Sequence, residues 1–66
     1  MKIAVIGCAG RMGRTNLAAV LEADLDLVAG VETPGHPALG VDLGTLAGAA
    51  PLGRSATADA AAAIRA

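Results

Sequence analysis

Two short apolar runs frame the first half of the chain. Ile3-Ala4-Val5-Ile6 follows Lys2 without a polar break, and Leu27-Val28-Ala29-Gly30-Val31 follows Asp26 in the same way. Short runs rich in β-branched residues, with no polar face, read as strands buried on both sides, as in a parallel sheet. Between them the period changes. Gly13, Leu17, Val20 and Leu21 fall on one stripe at helical spacing, while Arg14, Ala18 and Glu22 fall on another face, which predicts an amphipathic helix over about 11–23. It breaks near Asp24. A strand over 2–6, this helix, and a strand over 26–32 make a βαβ unit with parallel strands, and the predicted fold class is α/β.

Beyond Glu32 the pattern loosens. Thr33-Pro34-Gly35-His36 fits a type II turn, with proline and glycine at its two central positions, and Pro37 keeps His36 extended. From Ala38 to Gly53 the glycines at 40, 44, 48 and 53 interrupt any long element, and Asp42 is placed to cap a short turn of helix through Leu46. A long, weakly structured connection directly after an acidic strand end reads as a functional loop. Leu52 to Ala56 reads as a third strand, weakened by Gly53. Thr57 is the expected cap of a closing helix, with Asp59 in its first turn and Ala60 to Ala63, Ile64, Arg65 and Ala66 as its body. No internal repeat is visible.

The chemistry sits at the first junction. Gly7, Gly10 and Gly13 follow directly on the first strand and lead into the helix. The first amides of a helix have no partner one turn back, and the helix dipole turns its positive end toward them. Anions, above all a pyrophosphate, bind in such turns. Gly7 ends the strand at a sharp turn, Gly10 lets a phosphate approach bare backbone, and Gly13 lets the helix press against the strand. The spacing is G-x-x-G-x-x-G rather than the commoner G-x-G-x-x-G. With Gly10 and Gly13 on the last two positions, Cys8 stands where the first glycine usually sits. Glycines alone are a weak signal; the second strand supplies the context. It ends in Glu32, about 20 residues past Gly13, where a carboxylate grips the hydroxyls of an adenosine ribose. Together these features read as a dinucleotide site on a partial, truncated Rossmann-type βαβ half.

Simpler roles stand beside these. Cys8 reads as a residue small enough to admit a ligand rather than as a thiolate activated by the helix end. Arg11 is balanced between reaching a phosphate and lying in solvent. Lys2 reads as strand-edge solvation, Met12 as core packing, His36 as a solvated loop histidine and Asp42 as a cap rather than an acid catalyst.

Composition bounds what the chain can be. With 66 residues, no aromatics and a hydrophobic content of 55% rich in alanine, it builds a thin core, and domains of this size are marginal. A complete dinucleotide crevice needs two mononucleotide halves, so the chain is expected to be the N-terminal part of a dinucleotide-binding domain, with any catalytic domain outside it. A net charge of −1 with 5 basic and 6 acidic residues gives no basic stripe for nucleic acid. One cysteine forms no internal disulfide, and no zinc spacing is present, so no metal is expected. Neither a signal peptide nor a membrane span is legible, and the expected location is the cytoplasm.

Gly7-Cys8-Ala9-Gly10-Arg11-Met12-Gly13-Arg14, taken with Glu32-Thr33-Pro34-Gly35-His36-Pro37-Ala38-Leu39-Gly40 and Asp42-Leu43-Gly44-Thr45-Leu46-Ala47-Gly48, resembles the N-terminal region of the 4-hydroxy-tetrahydrodipicolinate reductases, also called dihydrodipicolinate reductases. The G-x-x-G-R-M-G run is the sharpest part of the likeness. The resemblance implies a reductase of diaminopimelate and lysine biosynthesis that passes a hydride from NADH or NADPH to a cyclic dicarboxylate. It implies that Gly7, Cys8, Ala9, Gly10, Arg11 and Met12 touch the pyrophosphate and adenosine half of the cofactor, and that Glu32 holds the ribose. A basic residue often follows that acid in the family and meets the 2′-phosphate of NADPH; here the position is Thr33. NADH is therefore expected to serve at least as well as NADPH. The family's catalytic His-His pair and lysine belong to a second domain, so no catalytic residue is expected in this chain, which alone should be inactive. A homo-oligomer, a tetramer by resemblance, would form through that domain.

Other functions share this opening. Methyltransferases using S-adenosylmethionine place glycines after a first strand and an acid after a second, though in a tighter glycine cluster without Arg-Met-Gly. Other NAD(P)-dependent dehydrogenases, such as the semialdehyde dehydrogenases, use the same turn. A non-catalytic nucleotide-binding module remains the third class.

Overall fold

The protein is described here by a computed structural model covering residues 2–65, with side chains followed as far as Ala63. β1 (Lys2–Ile6) and β2 (Asp26–Val31) pair in parallel, and α1 (Arg11–Glu22) crosses between them. This is the βαβ unit that the hydrophobic pattern predicts. β2 stops one residue short of the predicted end, so Glu32 stands just past the strand.

The pairing is not regular. Ile3 lies opposite Leu27, but Ala4 lies opposite Ala29, which leaves Val28 as an extra residue. Such a bulge reverses the facing of everything after it. Leu27 joins the cluster under α1, whereas Ala29 and Val31 turn to the opposite face and meet Ala63. Ala63 belongs to α3 (Ala60–Arg65), which packs on β2. β2 is thus covered on both faces. β1 is not: Val5 is buried, but Ala4 is exposed and Ile6 is 70% exposed. The expectation of a strand buried on both faces fails for β1, because α3 packs on β2 and leaves Ala4 and Ile6 exposed.

α1 buries the predicted stripe. Gly13 and Leu17 are buried, Val20 and Leu21 pack against the same cluster, and Arg14 and Glu22 face solvent. The helix ends as the sequence suggests. Asp24 takes a left-handed conformation at φ 57°, its N–H donates to Leu21 O, and the Leu25 N–H donates to Val20 O. That is a Schellman closure with aspartate in the usual glycine position.

The turn after Glu32 forms as predicted, with Gly35 at φ 83° and the His36 N–H donating to Thr33 O at 3.1 Å. The segment from Ala38 to Gly53 departs from expectation: its first part, Ala38 to Ala47, packs into the core, and 48–53 lies exposed. Ala38, Leu43 and Leu46 are buried, the two leucines on the short helix α2 (Leu43–Leu46). Residues 52–56 form no strand in the sheet. They run back along 40–43, with Leu43 N–H to Arg54 O and Ala56 N–H to Val41 O. Only Thr57 joins the sheet, as a single parallel bridge beside Val31. The cap of α3 also shifts. Asp59 rather than Thr57 caps it, its Oδ1 accepting the Ala62 N–H, while Thr57 Oγ1 accepts the Asp59 N–H. Serving a third-residue amide needs a side-chain oxygen immediately before the helix, and Asp59, not Thr57, occupies that place,. The helical reading of Ala66 lies outside the described residues.

Asp42 ties this segment together. Its carboxylate caps α2 through the Thr45 N–H and also accepts the Leu52 and Gly53 amides across the loop. These donors, the Leu52 N–H first, hold its carboxyl below the ordinary aspartate range. A depressed folded value means the stabilisation is complete above the ordinary aspartate range and is lost as pH falls through the folded value. Asp42→Asn is therefore expected to melt below the parent chain at neutral pH, the gap closing in acid; thermal melts at descending pH measure it. An unchanged gap across the series rejects the assignment.

Candidate functional site

The glycine turn and the tip of β2 meet at the carboxyl ends of the two strands, where α/β sheets place their ligands. An open cleft of about 200 Å³ lies there, lined by Ile6, Gly7, Val31, Glu32 and Thr33. Gly7 takes φ 71°, a conformation that L side chains rarely adopt, and turns the chain from β1 toward α1,. Gly13 is buried against that turn: a Cβ there would strike the Gly7 carbonyl and sit 2.8 Å from Cys8 Cα. Gly10 is exposed, and a Cβ there would meet nothing closer than Gly7 O at 3.5 Å.

The amides of the turn divide into two sets. Gly7 and Cys8 both donate to Val31 O, at 2.7 and 3.1 Å, and Gly10 donates to Gly7 O at 3.1 Å. Ala9 donates to Glu32 Oε2 at 3.1 Å. These four hold the turn in shape. The first bond up the helix runs from the Arg14 N–H to Gly10 O at 2.9 Å, and Gly10 offers no side-chain cap. The amides of Arg11, Met12 and Gly13 therefore precede the ladder and form the open helix start. Of the residues expected to touch the cofactor, Arg11 and Met12 carry amides without a partner among the described residues, whereas the amides of Gly7, Cys8, Ala9 and Gly10 shape the turn.

Glu32 is half-buried and reaches into the turn rather than away from it. Its backbone N–H is held by Thr57 O at 2.9 Å, which fixes the residue beyond β2. Oε2 accepts the Ala9 N–H, and Oε1 accepts the Thr33 N–H at 3.0 Å. The Thr33 amide first, then that of Ala9, hold the carboxyl below the ordinary glutamate range. A carboxylate oxygen accepts more than one donor, so both keep lone pairs for hydroxyls. Thr33 is exposed at the cleft edge.

Three sequence assignments change. Met12 is 73% exposed rather than packed in the core, because Gly13 and Leu17 take the inward stripe of α1. Cys8 is fully buried, its Sγ near the space that a Cβ on Gly30 would need. Its size is limited by the core, not by a ligand, and burial first, then the charge of Glu32, pushes its thiol up, opposite to an activated nucleophile,. His36 is half-buried, with Nδ1 accepting the Ala38 N–H at 3.0 Å, so it shapes its loop instead of lying free. Arg11 is exposed, its side chain without a partner among the described residues. Among the described residues no group of three or more His, Cys, Asp or Glu is placed to hold a metal, and no helix is long and apolar enough to cross a membrane.

A family profile described as "Dihydrodipicolinate reductase, N-terminus" matches residues 1–66. The chain belongs to this family. Among its curated relatives, the 4-hydroxy-tetrahydrodipicolinate reductase of Parvibaculum lavamentivorans is 56% identical over 62 residues, 91% of this chain and 23% of the relative. The proteins of that name from Trichlorobacter lovleyi and Methanococcus maripaludis are 47% and 43% identical, each over 80% of this chain and 20% of the relative. The chain thus spans less than a quarter of the length of these relatives. One residue beside the turn escaped the sequence: Arg14, whose Nε donates to Ala9 O at 2.9 Å. Its helical spacing put it in solvent, and no local pattern signals a side chain folding back over its own helix start.

Proposed function

We propose that the chain is the cofactor-binding N-terminal part of a 4-hydroxy-tetrahydrodipicolinate reductase, taking the adenosine diphosphate half of NADH or NADPH. The observation that carries this reading is the junction of Glu32 with the glycine turn. A carboxylate at the β2 tip, bonded to the Ala9 amide, stands beside an uncapped helix start whose backbone at Gly10 is open to approach. The donor set suits the group: free amides at Arg11 and Met12 for the diphosphate, and an ionised acceptor for ribose hydroxyls. When bound, the dinucleotide supplies the hydride; the residues of this chain bind and orient its far end. Proton transfer and substrate recognition belong to residues outside these 66. On this reading the substrate of the full-length protein is a cyclic dicarboxylate of lysine and diaminopimelate biosynthesis, a reading supported by the names of the relatives.

Thr33 bears on the choice of cofactor. A 2′-phosphate placed beside Glu32 meets a carboxylate and a neutral hydroxyl, with no guanidinium at position 33 to offset the repulsion. NADH is expected to give a kcat/KM at least equal to that of NADPH in the full-length protein. Thr33→Arg should then raise the NADPH to NADH ratio by about tenfold. A strong NADPH preference in the unsubstituted protein rejects the Thr33 argument, and failure to bind either dinucleotide by calorimetry rejects the function.

A further inference from the structure

Arg14 contributes a feature of the site that its position on α1 does not suggest. The guanidinium turns back over the helix start, and Nε donates to Ala9 O, five residues earlier. Ala9 is thereby held on both sides. Glu32 Oε2 takes its N–H at 3.1 Å, and Arg14 Nε binds its carbonyl at 2.9 Å. The two peptide planes that meet at Ala9 lead directly into Gly10 and the open amides of Arg11 and Met12. Their orientation sets where those amides point.

The charge pattern points the same way. The first turn of α1 contains no acidic residue, yet it carries Arg11 and is followed at once by Arg14. Cations at a helix N-terminus oppose the dipole, whereas acids there stabilise it. The arrangement costs helix stability and concentrates positive potential where an anion would sit. Nε accounts for one of the five N–H donors of a guanidinium; the other four bond to no described residue.

We propose that Arg14 is a positioning residue of the cofactor site: its bond to Ala9 O holds the glycine turn in the shape that receives the diphosphate. The inference rests on the dinucleotide reading above and adds to it a residue that acts through the backbone of Ala9. Arg14→Met keeps an unbranched apolar stem while removing the donor and the charge. Arg14→Lys keeps a donor and a charge. In the full-length protein, binding of ADP-ribose, which carries the diphosphate, is compared with binding of adenosine, which lacks it. Arg14→Met is expected to weaken ADP-ribose about tenfold and to leave adenosine within about twofold. The KM for NADH rises, while kcat at saturating NADH is unchanged. Arg14→Lys should recover part of the lost affinity. Equal loss of both ligands, or a lysine variant no better than methionine, would mean that the residue only supports the fold and overturns the proposal. So would an Arg14→Met protein that binds ADP-ribose as the parent does. If the unsubstituted protein itself ignores ADP-ribose, the dinucleotide reading falls as well, a result distinct from failure of the Arg14 variants alone.

Discussion

Gly13→Ala is expected to destabilise the protein by about 3 kcal/mol, and Gly10→Ala by less than about 1 kcal/mol, although each adds a single methyl group to the same turn. A methyl on Gly13 would collide with the Gly7 carbonyl, 2.7 Å from its carbon and 2.8 Å from Cys8 Cα. Those atoms are backbone, and they are held in turn by the bonds of Gly7 and Cys8 to Val31 O, so relief requires α1 to lift off β1. Replacing glycine by alanine inside a helix gains about 1 kcal/mol in propensity, which does not offset a collision of that kind. At Gly10 the methyl would meet Gly7 O at 3.5 Å, an ordinary contact that needs no relief. The melting temperature of Gly10→Ala should barely move, while ADP-ribose affinity falls about tenfold, because the methyl stands where a phosphate must meet bare backbone. Urea denaturation and calorimetry separate the two effects. A Gly13→Ala protein as stable as its parent would show that the turn yields, and full ADP-ribose binding by Gly10→Ala would show that the diphosphate rests elsewhere.

Glu32→Gln is expected to weaken ADP-ribose binding about tenfold at neutral pH and to abolish its acid dependence. The carboxylate serves the Thr33 and Ala9 amides at once, and these donors lower its proton affinity in the fold. Its contribution is therefore complete above the ordinary glutamate range and disappears as pH falls through the depressed folded value. The facing titratable groups are Cys8, buried with a raised thiol, and His36 on the following turn, whose positive charge would also favour the ionised carboxyl. A glutamine carries no proton equilibrium in this range, so its binding curve should be flat where that of the parent declines. ADP-ribose is the suitable probe, since it lacks the acid-labile dihydronicotinamide. Parallel pH curves for parent and variant would assign the acid dependence to another group and remove Glu32 from ribose recognition.

What the chain determined by itself was local. The strands, the helix between them, its end at Asp24, the type II turn around Gly35 and the Asp42 cap all follow from spacings of a few residues, because backbone conformation and short-range hydrogen bonds decide them. Gly13 was legible for the same reason, since its place on the inward stripe sets a limit on size. The tertiary structure alone decided which faces were covered and which distant groups met. The bulge at Val28 reversed the facing of Ala29 and Val31, and one face of β1 stayed exposed at Ile6 while β2 was enclosed. Asp42 reached beyond its own helix to Leu52 and Gly53, and the expected third strand over 52–56 did not join the sheet because those residues paired with 40–43 instead, while Thr57, just beyond it, bridges Val31. At the site, the glycines and Glu32 were visible in one dimension, but the pinning of Ala9 by Glu32 and Arg14 was not. Hydrogen-bond partners far apart in sequence, and a side chain that folds back on its own helix, leave no periodic trace; they exist only once the chain has closed on itself.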